Sequence, residues 1–454
     1  MSDLHRRSVG RLAQDLREGA LTARALLDHY LERVERLNPD LNAFVYLDPE
    51  ATAAAEASDM RLRAGRPLSL LDGIPVSLKD NLLQAGSPAV WGSALYVDYV
   101  PDHDELPIAR LRSTGAVMMG KTNTPEFSLK GFTDNPVFGV TRNPWNLALT
   151  PGGSSGGAAA AVAAGLCPLA IGTDGGGSIR RPAAHTGLVG LKPGLGRIKR
   201  GDGFPPLMFD CEVVGPLART TADVRLAFDA LASYSRTCLP LGRLKILVVE
   251  RYGDAPVEPM LLERLRQAAS NLQALGHEIV YGVLPFDIEE PMLAWQALTS
   301  ASLAWLADQE PRFEEAASSE FVDQAKGGRN LTAADYVALT QTLYEFRTKT
   351  AQAFQAVDVI MTPCAATQPW TVDRPYPPVI DGQTVGPRGH AVYTAWVNCC
   401  GHPAIAIPTR MGDDGLPTGV QMIGRRESDE MLLDLAEAYE AAHPWVCRWP
   451  ALAG

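Results

Sequence analysis

The stretch that decides the fold is Thr150–Pro182, TPGGSSGGAAAAVAAGLCPLAIGTDGGGSIRRP, in which two glycine–serine clusters flank a helix of small residues and a strand. Glycine runs let the backbone take left-handed conformations and approach a ligand closely. A serine at the end of such a run, just before a helix, sits where backbone N–H groups point outward. This pattern predicts an oxyanion-binding site beside a serine.

A serine hydroxyl is a poor nucleophile unless a base accepts its proton. His185 and His390 are candidate bases, but no G-x-S-x-G elbow accompanies them. Lys79, in GIPVSLKDN, is a second candidate, because it follows an apolar strand and burial lowers the pKa of a lysine. The competing interpretation pairs Lys79 with Asp80 or Asp174 as a purely structural contact.

The glycine clusters also have non-catalytic interpretations. GTDGGGS after a strand resembles a dinucleotide loop, but the G-x-G-x-x-G frame with a downstream acidic residue is poorly met. GGSSGG lacks the G-K-[ST] of a phosphate loop, and a tight turn is the usual meaning of an isolated cluster. Two clusters in one stretch, together with a strand lysine, favour a catalytic arrangement.

Strand-like segments alternate with helices along the rest of the chain, which predicts an α/β fold. We expect one large domain over residues 1–454, with a mixed central β-sheet covered by helices on both faces. Residues 1–69 are expected to be a helical segment packed on it, whose first long helix ends at Asn38-Pro39. Gln368–Arg388 is predicted to be a long surface loop near a functional face. The predicted strands are Asn42–Leu47, Ile74–Leu78, Ala116–Met119, Leu169–Thr173, Leu244–Val249, His277–Val283, Val357–Thr362, Ala404–Pro408 and Gly419–Ile423.

Composition excludes several classes of function. The 454-residue chain has a net charge of −11, which argues against a broad nucleic-acid or anionic-membrane surface. The longest stretch of small and apolar residues, Ala158–Gly172, is shorter than the ~20 residues that span a bilayer. Cysteines are odd in number and irregular in spacing, which predicts a reducing, cytoplasmic compartment. They are Cys167, Cys211, Cys238, Cys364, Cys399, Cys400 and Cys447.

Six ordered motifs resemble those of the amidase signature hydrolases. They are PVSLKDN (Pro75–Asn81), GKTNTPEF (Gly120–Phe127), FGVTRNPWN (Phe138–Asn146), PGGSSGG (Pro151–Gly157), GTDGGGSIRRPAAHTGLVGLKP (Gly172–Pro193) and GLPTGVQMIG (Gly415–Gly424). The signature core covers about residues 70–200. The resemblance implies an amidase that hydrolyses a carboxamide to a carboxylic acid and ammonia or an amine through a seryl acyl-enzyme.

The resemblance also implies a Ser-cisSer-Lys triad. Ser178 matches the nucleophile, Ser154 the bridging serine and Lys79 the base. The two serines lie 178 − 154 = 24 residues apart, as in the family, and the Gly153–Ser154 bond is expected to be cis. The implied oxyanion donors are the N–H groups of Gly175, Gly176, Gly177 and Ser178. Because the family often has a larger residue at Gly175, this loop is expected to be looser here.

Further residues take roles only through the same resemblance. Ser155, Asp174 and Arg180 match positions that brace the triad. Motif position places Phe127, Ser128 and Leu129 near the acyl pocket, to which Trp396 is added. The apolar residues Phe127, Leu129 and Trp396 fit a core equally well. No metal and no cofactor are implied, the expected partner is a small-molecule amide, and a homodimer is expected.

Two other functions stay open. The runner-up is the glutaminase (A) subunit of a glutamine-dependent aminoacyl-tRNA amidotransferase, a branch that carries an acidic residue shortly before the segment matching Asn398–Pro403. The corresponding stretch Arg388–Val392 has no carboxylate, which disfavours it. The third is a catalytically silent scaffold, against which the intact triad argues.

Remaining candidates have simpler interpretations. Asp102, His103, Asp104 and Glu105 suggest a metal site, but a solvated loop that caps a helix over Leu106–Arg112 is the favoured interpretation. Cys399-Cys400 is predicted to be a pair of thiols near the active-site face without a nucleophilic role. Arg142 is expected to stabilise the TRNPW turn.

Overall fold

A mixed β-sheet runs through the centre of the fold. The computed structural model describes residues 3–234 and 241–454. The strands are β1 (Phe44–Leu47), β2 (Pro75–Lys79), β3 (Val117–Thr122), β4 (Leu169–Asp174), β5 (Val189–Lys192), β6 (Val213–Ala218), β7 (Lys245–Val248), β8 (Glu278–Tyr281), β9 (Val359–Pro363), β10 (Val379–Ile380), β11 (Gln383–Thr384), β12 (Ala404–Pro408) and β13 (Gly419–Gly424). Eleven of these described strands form one sheet in the order β1-β3-β2-β4-β6-β5-β12-β13-β9-β7-β8, and β10 pairs with β11.

The helices pack against the sheet or against one another. They are α1 (Val9–Arg17), α2 (Ala23–Leu41), α3 (Ala51–Arg63), α4 (Leu106–Ser113), α5 (Gly156–Ala163), α6 (Arg180–Thr186), α7 (Thr221–Leu231), α8 (Pro259–Ala274), α9 (Glu289–Gln309), α10 (Phe313–Ala316), α11 (Ser319–Gly328), α12 (Ala333–Ala353), α13 (Ala395–Cys400) and α14 (Asp429–Ala442). The predicted α/β fold with a mixed central sheet is confirmed. Among the described residues, no helix has the length and apolar character needed to cross a membrane.

Strands β2 and β4 position Lys79 beside the two glycine–serine clusters. They are parallel neighbours, with Val76 opposite Leu169 and Leu78 opposite Ile171, and both are buried along their whole length. Parallel neighbours end at the same sheet edge, so Lys79 at the end of β2 lies beside Thr173 near the end of β4. Helix α5 begins at Gly156, within the first glycine–serine cluster, and α6 begins at Arg180, just after the second.

The N-terminal segment departs from expectation at one point. Helix α2 does not end at Asn38-Pro39 but continues to Leu41, where Asn42 takes a left-handed conformation (φ 50°) and its N–H donates to the Asn38 carbonyl. Pro39 thus lies inside the helix, where it lacks the N–H that would donate to the Glu35 carbonyl. The segment packs on the main domain, since Arg33 Nε donates to the Gly165 carbonyl at 2.7 Å.

Several elements were not predicted from sequence. Strand β6, VVGPLA, contains glycine and proline, and β5, VGLK, is only four residues long, so neither shows a strand alternation. The hairpin β10–β11 lies within the predicted loop Gln368–Arg388. Cys238 lies outside the described residues, and the other six cysteines are free thiols.

The acidic segment before α4 needs a correction. Asp104 pairs with Arg112 at 2.5 Å, and His103 contacts Asp102 at 2.9 Å, both near solvent. Glu105, however, is fully buried rather than solvated and contacts Arg200 at 3.4 Å, and its burial raises the pKa of its carboxyl. Within the described ranges, no group of three His, Cys, Asp or Glu side chains could hold a metal ion.

Candidate active site

Lys79 reaches from β2 into the space between the two glycine–serine clusters. Its side chain is fully buried, and Nζ donates to Ser154 Oγ and to Thr173 Oγ1, each at 2.8 Å. In the part of the chain that the structure describes, Lys79 makes no ion pair with Asp80 or Asp174. The alternative in which Lys79 serves a structural ion pair therefore does not describe this site.

Burial sets the protonation of Lys79. Removal of the ammonium from water lowers the pKa of Lys79 to about 7, an effect that the carboxylate of Glu212 opposes and the guanidinium of Arg200 reinforces. Near neutral pH a substantial fraction of Lys79 is therefore an uncharged amine. An uncharged amine carries a lone pair that can accept a proton.

A hydrogen-bonded chain, not foreseen from the sequence, fixes the position of the lysine. Asn81 Nδ2 donates to Thr173 Oγ1 and to Glu212 Oε1, both at 3.1 Å. Arg200 Nη1 in turn donates to Glu212 Oε1 at 2.8 Å. Asn81 lies within the PVSLKDN motif, but Glu212 and Arg200 lie in no recognisable motif and come close only through folding.

The first glycine–serine cluster presents Ser154. The Gly153–Ser154 peptide bond is cis, as the resemblance implies. The neighbouring Ser155 joins this cluster to the second, because its N–H donates to the Ser178 carbonyl and its Oγ donates to the Thr173 carbonyl, both at 3.0 Å. Position 153 has room only for glycine, because the Cβ of any other residue would lie 2.8 Å from the backbone nitrogen of Phe132.

Ser178 ends the loop between β4 and α6. It retains 6% exposure, against 1% for Ser154 and 0% for Lys79, so it is the member of this group that faces open space. Its Oγ makes no hydrogen bond to any other described residue. The hydroxyl is thus available to an incoming ligand.

Asp174 holds the glycine loop in shape. It accepts from the N–H groups of Gly177 at 2.7 Å and Ile179 at 3.0 Å, and Arg180 donates to it through Nε at 3.0 Å and Nη2 at 2.9 Å. Burial alone would raise the pKa of Asp174, but the Arg180 guanidinium and these hydrogen bonds hold it well below its usual value. Asp174 therefore stays ionised.

The same contact alters the set of oxyanion donors expected from sequence. The N–H of Gly177 is already committed to Asp174 and is not free for a ligand. Among the described residues, the N–H groups of Gly175, Gly176 and Ser178 have no acceptor. The loop is also not looser at Gly175, because the Met208 side chain occupies the space that a larger residue would fill.

The late motif supports this loop from behind. Arg180 Nη1 donates to Gln421 Oε1 at 2.9 Å, and Asn398 Nδ2 donates to the Asp174 carbonyl at 2.7 Å. Gln421 lies in GLPTGVQMIG, so the C-terminal motif contributes a brace rather than a ligand contact.

We expect Arg180→Met to destabilise the protein by about 3–5 kcal/mol, because it leaves the carboxylate of Asp174 buried without its countercharge. The measurement is the free energy of unfolding from urea denaturation. The matched control is Arg243→Met, whose pair with Glu278 is exposed and should contribute little. Equal stabilities of the two variants would contradict this prediction.

Three of the four predicted pocket residues lie in the core. Phe127 is fully buried and stacks on Phe313 with ring centroids 5.8 Å apart, and Ser128 Oγ accepts from Trp91 Nε1 at 3.2 Å. Trp396 is also fully buried, with its Nε1 donating to the Tyr252 hydroxyl at 2.9 Å. Leu129 is only partly buried and packs against two apolar clusters.

The histidines do not contact the site serines. His185 Nε2 lies 3.3 Å from the Thr367 carbonyl, and burial lowers its pKa to about 4. The ring of His390 packs against Trp370 at 4.8 Å between centroids, and burial lowers its pKa well below the usual value. Arg142 contacts the TRNPW turn as expected, because its Nη1 donates to the Leu147 carbonyl at 2.8 Å.

Fold and site together are typical of a hydrolase. The sequence profile of the amidase family matches residues 25–433. The chain therefore belongs to the amidase family, and it is an amide hydrolase. Recognition of the amidase signature family from the motifs is confirmed, and the interpretation as a silent scaffold is not retained.

Relatives include both kinds of enzyme considered from the sequence. The chain is 36% identical over 466 residues to a Mycobacterium tuberculosis protein named as amidase AmiB2, covering 97% of each chain. It is 33% identical over 493 residues to the (A) subunit of the glutamyl-tRNA(Gln) amidotransferase of Microcystis aeruginosa, covering 98% of this chain and 99% of that one. Among solved structures, a bacterial aryl acylamidase superposes with a TM-score of 0.90 at 28% identity, covering 99% of this chain and 98% of that one.

Proposed function

We propose that the protein is a stand-alone amidase in which Ser178 is the nucleophile, Ser154 the proton relay and Lys79 the base. The observation that carries the proposal is the 2.8 Å hydrogen bond between Lys79 Nζ and Ser154 Oγ inside a buried site. A lysine with a pKa of about 7 is uncharged often enough to act as a base at neutral pH.

Acylation moves one proton along this group. As Ser178 Oγ forms a bond to the amide carbon, its proton passes to Ser154, whose own proton passes to Lys79. The carbonyl oxygen gains negative charge, which the N–H groups of Gly175, Gly176 and Ser178 stabilise. The C–N bond then breaks, the nitrogen takes a proton from Ser154, and Lys79 returns a proton to Ser154.

Deacylation repeats the same transfers with water. The water gives its proton to Ser154, and the resulting hydroxide attacks the ester carbon. The bond from carbon to Ser178 Oγ breaks, Ser178 recovers a proton, and the carboxylic acid leaves. Nothing in this scheme needs a metal or a cofactor.

The glutaminase of an amidotransferase remains the second candidate. The relatives include the glutaminase (A) chain of such an enzyme, which is similar over nearly the whole length of this protein. The stretch Arg388–Val392 disfavours it, because it contains no carboxylate that could pair with the α-amine of glutamine. A homodimer and a cytoplasmic location stay predictions from the family resemblance and the cysteine pattern.

A substrate panel separates the two candidates. We expect ammonia release from simple aliphatic and aryl amides, and aniline release from an aryl anilide, with Ser178→Ala as the inactive control. Glutamine should be a poor substrate, because its charged amine finds no carboxylate partner. Turnover of glutamine alone would contradict the proposal and favour the glutaminase of an amidotransferase.

A further inference from the structure

A cavity of about 550 Å³ opens next to the glycine loop of the active site. Its mostly apolar wall includes Tyr252, Phe286, Ile288, Met292, Ala391 and Ala395. The Ala395 Cβ lies 3.6 Å from the position that a Cβ on Gly176 would take. The wall of the cavity therefore touches the glycine loop that leads to Ser178, and it does so through Ala395.

Arg388 also lines this cavity, and a charged side chain is unusual in a wall that is otherwise mostly apolar. Its guanidinium stacks over the Trp295 ring, 4.4 Å from the ring centroid. The same ring lies against the glycine loop, since two of its atoms are 3.4 Å from the place where a Cβ on Gly176 would be. Within residues 3–234 and 241–454, Arg388 has no hydrogen-bond acceptor and no carboxylate at ion-pair distance. Burial lowers the pKa of Arg388 only to about 10, so the group is charged at neutral pH.

The surroundings do not supply the missing negative charge. Arg181 is close enough to repel Arg388. Among the residues that the structure describes, Arg181 donates only to neutral acceptors, which are the carbonyls of Gly176 and Gly153 and the hydroxyl of Thr394. The nearby Asp174 is committed to Arg180. The acidic residues that line the cavity are exposed and none of them pairs with Arg388, and they are Asp254, Asp287 and Glu289.

We propose that Arg388 binds a carboxylate of the substrate, so that the preferred substrates are amides that carry a carboxylate a short aliphatic chain away from the scissile bond. A planar guanidinium pairs with a carboxylate through two parallel hydrogen bonds, and the apolar wall accommodates the chain between. The carboxylate belongs either to the acyl part, as in the monoamide of a dicarboxylic acid, or to the amine part, as in an N-acyl amino acid. This inference rests on the proposed amidase function and narrows its substrate class.

The test compares matched substrates. Monoamides of C4–C6 dicarboxylic acids are compared with alkyl amides of equal length, and N-butyryl ω-amino acids with N-butyryl alkylamines. We expect the wild-type enzyme to prefer one carboxylate series, and Arg388→Met to lower kcat/KM for that series roughly 10- to 100-fold through KM, while neutral amides change less than about threefold. The series that responds shows whether the carboxylate lies on the acyl or the amine side.

Arg243→Met is the matched control, because Arg243 is exposed, pairs with Glu278 at 3.4 Å and is not among the residues that line the cavity. It should leave the preference unchanged, and Arg388→Lys should restore part of it. Equal losses on carboxylate and neutral amides in Arg388→Met, or no preference in the wild type, would overturn the inference and leave the amidase function intact.

A binding measurement separates the two proposals. Glutarate or adipate should bind the wild-type protein in calorimetry and bind Arg388→Met about tenfold or more weakly, whether or not the enzyme turns over any amide tested. Equal affinities of the two proteins would count against the role of Arg388. Absence of all amide hydrolysis, with this difference in binding present, would instead count against the catalytic proposal.

Discussion

Ser178→Ala should lower kcat by roughly 10⁶-fold and leave the fold unchanged. Loss of the nucleophile removes the covalent route entirely, and serine hydrolases lose about that factor when the nucleophile is deleted. The fold should not respond, because Ser178 Oγ makes no hydrogen bond to a described residue and its removal leaves no partner unsatisfied. Steady-state rates and thermal unfolding midpoints of the two proteins check both parts.

A covalent probe makes this test independent of the substrate. A sulfonyl fluoride should add one mass increment to the wild-type protein at Ser178 and none to Ser178→Ala. The control is Ser113→Ala, an exposed serine at the end of α4, which should keep full activity and full labelling. Wild-type turnover by a folded Ser178→Ala protein would refute the assignment of the nucleophile.

The proposed triad could be located from sequence because each member lies in a short motif. Lys79 ends an apolar strand and the two serines lie in glycine runs, but their roles come from the resemblance to the amidase signature motifs, because composition alone favours a structural contact for Lys79. The parallel pairing of β2 with β4 then brings the motifs together without further information. The strands and helices with clear periodicity were predictable for the same local reason.

Residues that act through distant contacts could not be predicted. Glu212 reaches Asn81 across 131 positions, and Arg200 joins them from a third segment. The substrate pocket is hard to predict for a related reason, since an aromatic residue such as Phe127 or Trp396, both fully buried here, gives the same sequence signal in a core as on a cavity wall. Arg388 stands out only once the folded structure shows that it forms no ion pair with any described residue.

Lys79→Met should lower kcat/KM by about 10²- to 10⁴-fold, the usual contribution of a general base. Methionine fills nearly the same volume without a lone pair that accepts a proton. In the wild type, kcat/KM should fall as pH drops below about 7, because protonation of Lys79 removes the base. The residual activity of Lys79→Met should lack this acid limb.

A second buried group titrates in the same range and must be distinguished. Burial raises the pKa of Asp80 to about 7, and the neighbouring Lys121 opposes that rise. Lys121 is itself fully buried, and burial lowers its pKa to about 8, but its Nζ donates to the Leu82 carbonyl and not to a site serine. Lys121→Met is therefore a matched buried-lysine control.

Titration of Lys79 and titration of Asp80 would give different pH profiles in Lys121→Met. Removal of the positive charge at Lys121 should raise the pKa of Asp80 further, because the charge stabilises the ionised carboxylate. If Lys79 is the base, the acid limb of Lys121→Met stays near pH 7 and the activity per folded molecule is largely retained. If the limb moves to higher pH in Lys121→Met, or persists in Lys79→Met, the titrating group is not Lys79 and the proton route through Ser154 is wrong.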